Sequence, residues 1–131
     1  MANSGRRIPR RMLQRAIDAE PSIARRINRI FDDVDVVLTP GAVQPPPRIG
    51  EQDGHGASRT LMGSGKMIPH FAPWNVIGQP ATSLPAGFTT AGLPLSVQFA
   101  GRPNDEATLL ALCTQVEKTR PWAQHRPPTL S

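Results

Sequence analysis

Residues 75–101, NVIGQPATSLPAGFTTAGLPLSVQFAG, are the stretch of this sequence that decides the fold. Two runs inside the stretch, residues 81–84 and residues 93–99, are rich in apolar and β-branched residues and are bounded by glycine and proline. Runs of this kind predict short β-strands. The stretch therefore predicts two strands that follow each other closely in the chain, with a short connection between them.

Glycine and proline mark the ends of these two predicted strands. Gly78 is predicted to end a preceding helix, because glycine suits the left-handed conformation found after a helix C-terminus. Pro85 and Gly87 are predicted to end the first strand in a turn, and Pro94 to start the second strand at an edge of the sheet. These residues supply backbone geometry and carry no proton-transfer group, so we assign them structural roles.

Residues 8–31 have the spacing of an amphipathic helix. Pro21 interrupts the pattern. Because proline suits the first turn of a helix rather than its interior, the sequence predicts two helices that meet near Glu20 and Pro21. Asp32 and Asp33 are predicted to close the segment. The predicted apolar face consists of Leu13, Ile17, Ala24, Ile27 and Phe31.

Three segments follow before the deciding stretch. Residues 35–40 form a β-branched run that ends in proline, which predicts a fully buried strand covered on both faces of its sheet. Residues 41–59 lack periodicity and predict a long loop. Residues 66–77 predict a helix that is broken or kinked near Pro69 and Pro73.

The C-terminal part of the chain completes the predicted architecture. Residues 105–118 predict an amphipathic helix capped by Asn104, and residues 121–131 predict an extended strap on the surface. Strands that are separated by helices indicate an α/β fold. The predicted inward face of the last helix consists of Leu109, Leu112 and Val116.

The composition is that of one ordinary domain without a membrane-spanning segment. The chain has 131 residues, of which 15 are proline and 11 are glycine, so its helices and strands are predicted to be short. Cys113 is the sole cysteine, which excludes an intrachain disulfide and favours a cytoplasmic setting. No apolar stretch has the length of a transmembrane helix. The net charge of +5 is local, because arginines cluster in the first 29 positions.

Residues 75–88 and 92–101 together resemble the paired C-terminal signature of the amidase-signature family of amide hydrolases and amidotransferase A subunits. Residues 35–40 resemble the strand that begins this region in the family, and Asp105-Glu106 resembles the start of its last helix. The resemblance implies that residues 8–131 form the C-terminal part of an amidase domain, with a mixed sheet flanked by helices. Residues 1–7 are then expected to be a flexible basic N-terminus.

The resemblance also implies hydrolysis of a carboxylic amide to an acid and ammonia or an amine, with no cofactor. The family uses a Ser nucleophile, a bridging Ser and a Lys, all of which lie upstream of the matching segment. We therefore expect no catalytic residue in this chain and no activity of the chain alone. An N-terminal amidase half is the expected partner, and a small-molecule amide would bind only in the complemented enzyme. Self-association is the alternative way to cover unpaired strand edges.

Local candidates for other chemistry are weak. Residues 63–66 place Ser64 two residues before Lys66, but a nucleophile needs a base within hydrogen-bond reach and a group that orients the base. The same residues miss the phosphate-loop pattern, because Thr60 stands where the first glycine belongs and Met67 follows the lysine. A flexible turn is the prediction here. No metal is expected, since the spacing of the following residues fits no zinc site: His55, His70, Cys113 and His125.

Three residues are predicted to lie nearest a substrate pocket, namely Trp74, Asn75 and Gln98. An indole offers an apolar wall, and carboxamides offer hydrogen bonds suited to an amide substrate. The structural alternatives are that Trp74 belongs to the core and that Asn75 caps a helix end. The second functional hypothesis is an interaction protein whose Arg-rich N-terminal helices bind nucleic acid or another acidic surface. A solvated helix face is favoured over it, because no aromatic residue interleaves those arginines.

Overall fold

The computed structural model describes residues 8–126. The predicted flexible N-terminus at residues 1–7 and the last five residues of the predicted strap lie outside the described residues. The described part of the chain alternates helices with strands. In chain order the elements are α1 (Arg10–Asn28), a short 3-10 helix (Arg29–Asp32), β1 (Val36–Pro40), α2 (Ala57–Met67), α3 (Ala72–Ile77), β2 (Ala81–Phe88), β3 (Pro94–Gly101) and α4 (Glu106–Thr119).

The strands form one antiparallel sheet in the order β1-β3-β2. The sheet is flanked by helices, which confirms the predicted α/β class. Strand β3 lies in the centre of the sheet, so the prediction that Pro94 begins a strand at a sheet edge is wrong. Proline is tolerated there because Pro94 is the first residue of its strand, where it pairs with Phe88.

Strand β2 continues past the position where a turn was predicted. Pro85 pairs with Ser96 and Gly87 pairs with Leu95, so a bulge at Ala86 absorbs one residue and the strand runs on to Phe88. The predicted turn at Pro85 and Gly87 is therefore wrong. Gly87 has a φ of 108°, which glycine adopts without strain, and this conformation lets the strand pass through the bulge.

Alanine substitutions at Gly87 and Gly65 are expected to change stability in opposite directions. A Cβ at either position would meet no atom within 4 Å, so crowding affects neither. Gly87→Ala forces a side chain into a positive φ, at a cost of about 1–3 kcal/mol. Gly65→Ala, inside α2, removes the helix penalty of glycine and stabilises by about 1 kcal/mol. Denaturant midpoints of both variants test this, and an unchanged midpoint for Gly87→Ala would contradict the assigned bulge.

Helix α1 is one continuous helix with Pro21 inside it, so the prediction of two helices meeting near Glu20 and Pro21 is wrong. Pro21 cannot donate to the carbonyl of Ile17, one turn earlier. Ile17 is 51% exposed, and water can therefore satisfy that carbonyl. The hydroxyl of the next residue, Ser22, donates to the carbonyl of Ala19 at 2.8 Å.

Helix α2 lies where the sequence predicted a loop followed by a flexible turn, and it contains all of residues 63–66. That prediction is wrong because two glycines obscure the helical pattern without preventing a helix. The predicted break near Pro69 is confirmed, since α2 ends at Met67 and α3 carries Pro73 in its first turn. Gly78 ends α3 with a φ of 68°, which confirms its predicted role.

Helix α4 is capped by Asp105 rather than by Asn104, so the predicted cap is wrong. A carboxylate at this position accepts hydrogen bonds and also interacts favourably with the helix dipole. The Oδ1 atom of Asp105 accepts from the backbone N–H of Thr108 at 3.4 Å and from its hydroxyl at 2.8 Å. The predicted apolar face is confirmed, because its members are buried or half-buried: Leu109, Leu112 and Val116.

The core lies between one face of the sheet and three helices, namely α1, the short 3-10 helix that follows it, and α3. Phe31, Trp74 and Ala100 form its buried cluster. Val37 packs against this cluster and pairs with Ala100, so both belong to the sheet face that α1 and α3 cover. Helix α4 covers the opposite face, where Leu109 lies 3.1 Å from the position that a Cβ on Gly101 would take.

Strand β1 is not covered on both faces, contrary to the prediction for residues 35–40. Leu38 is 60% exposed. It pairs with Phe99 and therefore lies on the α4 side of the sheet, but α4 packs against β2 and β3. Residues 35–40 have the composition of a strand that is covered on both faces of its sheet. Among the described residues, however, β1 lies at an edge of the sheet.

Helix α1 leaves part of its predicted apolar face exposed, and none of its residues is buried. Leu13 and Ile17 are exposed although they belong to the predicted apolar face of α1. Only the later part of that face approaches the core, where Ala24 and Ile27 are half-buried and Phe31 is buried. Among residues 8–126, no helix combines the length and apolar character needed to cross a membrane.

Candidate functional site

A row of polar side chains crosses the sheet next to the apolar core. Thr39 on β1 and Ser83 on β2 both pair with Gln98 on β3, so the three side chains lie on one face. Ala100 is two residues beyond Gln98 and lies on the same face, which places the polar row beside the core cluster.

Gln98 is the most deeply buried polar residue of this row. Its side chain is 3% exposed, and its Oε1 accepts a hydrogen bond from the Thr39 hydroxyl at 3.4 Å. A carboxamide also carries two N–H donors. Within residues 8–126, the Thr39 contact is the only side-chain hydrogen bond of Gln98, so its Nε2 can still donate to a further acceptor. This is the hydrogen-bonding capacity that recognition of an amide carbonyl requires.

The structure brings two of the three predicted site residues to the same side of the sheet. Trp74 is 7% exposed and packs against Phe31, with ring centroids 6.1 Å apart. Because Trp74 contacts the core cluster that contains Ala100, it lies on the Gln98 side of the sheet. Asn75 is exposed within α3 and is not at a helix end. Participation of Trp74, Asn75 and Gln98 in substrate binding stays a prediction.

Sequence reasoning missed the buried side chain of Gln79. It is 8% exposed, and its Nε2 donates to the Oδ1 of Asn28 at the end of α1. Its backbone N–H donates to the Trp74 carbonyl at 3.1 Å. Gln79 therefore fixes the end of α3 to the end of α1. The only signal in the sequence was its position between Gly78 and Pro80, two residues that constrain the backbone on either side.

Ser64 and Lys66 do not form a nucleophile and base pair in this structure. Both lie within α2, and residues two apart on a helix project from different sides of it. Ser64 is half-buried, while Lys66 is exposed. Their arrangement therefore provides no activated hydroxyl of the kind that nucleophilic catalysis needs.

The arginines of α1 border an open groove rather than a closed site. The groove lies on the side of α1 near its C-terminal end, and its lining is Ser22, Arg25, Arg26, Asn28, Arg29 and Asp32. Among the described residues, no three His, Cys, Asp or Glu side chains come together in a way that could hold a metal ion.

The described residues form an α/β scaffold with a buried carboxamide on the central strand of its sheet. The chain belongs to the amidase family: the family model described as Amidase matches residues 2–110. The predicted resemblance to the amidase signature is confirmed by this match.

Curated relatives from mycobacteria agree with the family assignment. A Mycobacterium tuberculosis protein named "Putative amidase AmiB2" is 54% identical over 109 residues, which are 83% of this chain and 24% of the relative. AmiA2 from the same organism is 40% identical and is matched over 88% of this chain and 24% of its own length. The chain thus spans about a quarter of the length of the curated relatives it matches.

Two solved structures contain a segment with the same fold as this chain. The structure of 6-aminohexanoate cyclic dimer hydrolase superposes with a TM-score of 0.82 and 30% identity, over 92% of this chain and 26% of that one. The glutamyl-tRNA(Gln) amidotransferase structure from Thermotoga maritima superposes with a TM-score of 0.64 and 27% identity, over 84% of this chain and 23% of that one.

Proposed function

We propose that this chain forms the scaffold and part of the substrate pocket of an amidase that hydrolyses a carboxylic amide to an acid and ammonia or an amine. The Ser-Ser-Lys group would be supplied by amidase residues that this sequence does not include, and the chain alone would be inactive. The observation that carries the proposal is the superposition on 6-aminohexanoate cyclic dimer hydrolase over 92% of this chain. A cytoplasmic setting belongs to the proposal and is supported by the single cysteine.

Gln98 is the side chain best suited to contact the substrate. A buried carboxamide with spare N–H donors can bind the carbonyl of an amide substrate. The central strand β3 is paired on both sides, and this holds the backbone beneath Gln98 in place. Trp74 would contribute an apolar wall from the core side, and Asn75 an exposed carboxamide from the adjacent helix. In this proposal the chain positions the amide, while the nucleophile comes from the remainder of the enzyme.

A chimeric enzyme tests the proposal. This chain replaces the aligned segment of Mycobacterium tuberculosis AmiB2, and turnover is measured with simple aliphatic and aromatic amides, with intact AmiB2 assayed in parallel. We expect the chimera to remain active. The Gln98→Leu variant should lower kcat/KM about tenfold, which corresponds to the loss of one hydrogen bond to an uncharged group.

Gln79→Leu is the matched control, because Gln79 is also a buried glutamine. It lies at the junction of α1 and α3 and bonds to Asn28, so its loss should lower the melting temperature and leave kcat/KM of the folded enzyme unchanged. A folded chimera that has lost all turnover would contradict the proposed function. Equal kcat/KM in the parent chimera and in the Gln98→Leu variant would show that Gln98 does not bind the substrate.

A further inference from the structure

Thr39 and Gln98 form a hydrogen-bonded pair across strands β1 and β3. The two residues are directly opposite each other in the sheet, and the Thr39 hydroxyl donates to Oε1 of Gln98 at 3.4 Å. Thr39 is half-buried and Gln98 is buried, so water competes little for this contact. Both side chains leave the same face of a paired backbone, and strand register therefore fixes their relative position.

The contact with Thr39 distinguishes the two orientations of the Gln98 carboxamide, which differ by a half-turn that exchanges oxygen and nitrogen. In the observed orientation the hydroxyl proton is bonded to Oε1, and Nε2 lies on the side away from Thr39. In the reversed orientation Nε2 would donate to the Thr39 oxygen, and both the hydroxyl proton and Oε1 would need new partners. Within the described ranges the Thr39 hydroxyl has no partner other than Oε1. The observed orientation therefore satisfies the hydroxyl and the carbonyl together.

The Nε2 atom of Gln98 borders accessible space. In the part of the chain that the structure describes, every fully buried side-chain nitrogen or oxygen has a hydrogen-bond partner. Nε2 has no side-chain partner among those residues, so it is not fully buried. Its N–H groups can therefore donate to an acceptor on a ligand that binds beside them.

The sheet face next to Gln98 carries small side chains. Ser96 follows on the same face, and Gly41 lies beside it, because the Gly41 N–H donates to the Ser96 carbonyl. A Cβ on Gly41 would overlap the Ser96 hydroxyl, so glycine leaves that hydroxyl in place. Ser83, which flanks Gln98 from β2, is exposed. These small residues leave room for a ligand next to Nε2.

We propose that Thr39 is a positioning residue that orients the Gln98 carboxamide, so that Nε2 faces the substrate and the site selects a hydrogen-bond acceptor, the substrate carbonyl. Thr39 itself does not touch the substrate. Its hydrogen bond also polarises the carboxamide, since linked hydrogen bonds strengthen one another in a protein interior. This inference rests on the proposed function, in which Gln98 contacts the amide.

The chimera in which this chain replaces the aligned segment of Mycobacterium tuberculosis AmiB2 provides the test. Thr39→Val keeps the shape of the side chain and removes the hydroxyl. It should lower kcat/KM about fivefold, as expected for one hydrogen bond between uncharged groups. Thr39→Ser keeps the donor and should retain most of the parent activity.

Thr82→Val is the control substitution, because Thr82 is also a half-buried threonine of the sheet. Its hydroxyl accepts from the Cys113 thiol of α4 at 3.8 Å and therefore lies on the opposite face from Gln98. Removal of this hydroxyl should leave kcat/KM unchanged. A loss equal to that of Thr39→Val would overturn the inference.

A double-mutant cycle distinguishes positioning from a merely structural role. If Thr39 acts through Gln98, Thr39→Val should have no further effect on kcat/KM in the Gln98→Leu background. A structural defect would instead lower kcat/KM equally in both backgrounds, and that result would overturn the inference. Equal impairment of the Thr39→Ser and Thr39→Val variants would do the same.

The outcomes separate this inference from the proposed function. A chimera that loses kcat/KM with Gln98→Leu and keeps it with Thr39→Val would support the function and overturn the positioning role. A loss with Thr39→Val in a chimera that tolerates Gln98→Leu would also overturn the positioning role. A folded chimera without turnover would contradict the function and the inference together.

Discussion

Replacement of Trp74 by alanine is expected to lower the free energy of unfolding by about 3–5 kcal/mol, the usual cost of deleting a large buried aromatic side chain. Trp74 is 7% exposed, packs against Phe31 and belongs to the buried cluster that includes Ala100. The described core is small, so few other contacts can compensate. The measurement is the denaturant midpoint of the variant compared with that of the parent chain.

Two control variants make the Trp74 result specific. Trp122→Ala removes an indole that is only half-buried, and its effect should be clearly smaller. Trp74→Phe keeps an aromatic ring against Phe31 and should recover part of the loss. Equal midpoints for Trp74→Ala and Trp122→Ala would contradict the assignment of Trp74 to the core. The core role and a role as pocket wall are compatible, because an indole can be packed on one face and border a cavity with its edge.

Short-range patterns predicted much of the fold. The helical spacing of apolar residues around Leu109 predicted α4, and Gly78 predicted the end of α3. Both signals act over a few residues. The failures arose where tertiary context outweighs local preference. Pro21 stays inside a helix because that part of α1 is exposed and water can satisfy the freed carbonyl. Gly87 continues a strand because pairing with β3 extends through a bulge.

The candidate site was predictable only in part. The burial of Gln98 follows from its place on the central strand, but its alignment with Thr39 and Ser83 depends on strand register. Register joins residues that are far apart in sequence, and a single sequence does not reveal it. The bond between Gln79 and Asn28 depends in the same way on the packing of α3 against α1.

Amidase activity is expected to appear only when this chain is combined with the nucleophile-bearing part of an amidase. A serine hydroxyl is a weak nucleophile until a positioned base activates it, and Ser64 and Lys66 of α2 project from different sides of their helix. The chain would instead supply the sheet that carries Gln98. The expected effect is large, since enzymes accelerate their reactions by factors of about 10⁶ or more.

The most direct test compares amide hydrolysis by three samples: the chain alone, the portion of Mycobacterium tuberculosis AmiB2 outside the aligned segment, and the two co-expressed and purified together. Release of the carboxylic acid is followed with simple aliphatic and aromatic amides, and full-length AmiB2 is assayed in parallel. The account predicts turnover in the combined sample and only background hydrolysis in the two separate samples. Turnover by the chain alone that disappears in the Ser64→Ala variant would contradict it, as would a stable complex that releases no acid from an amide that full-length AmiB2 hydrolyses in the same assay.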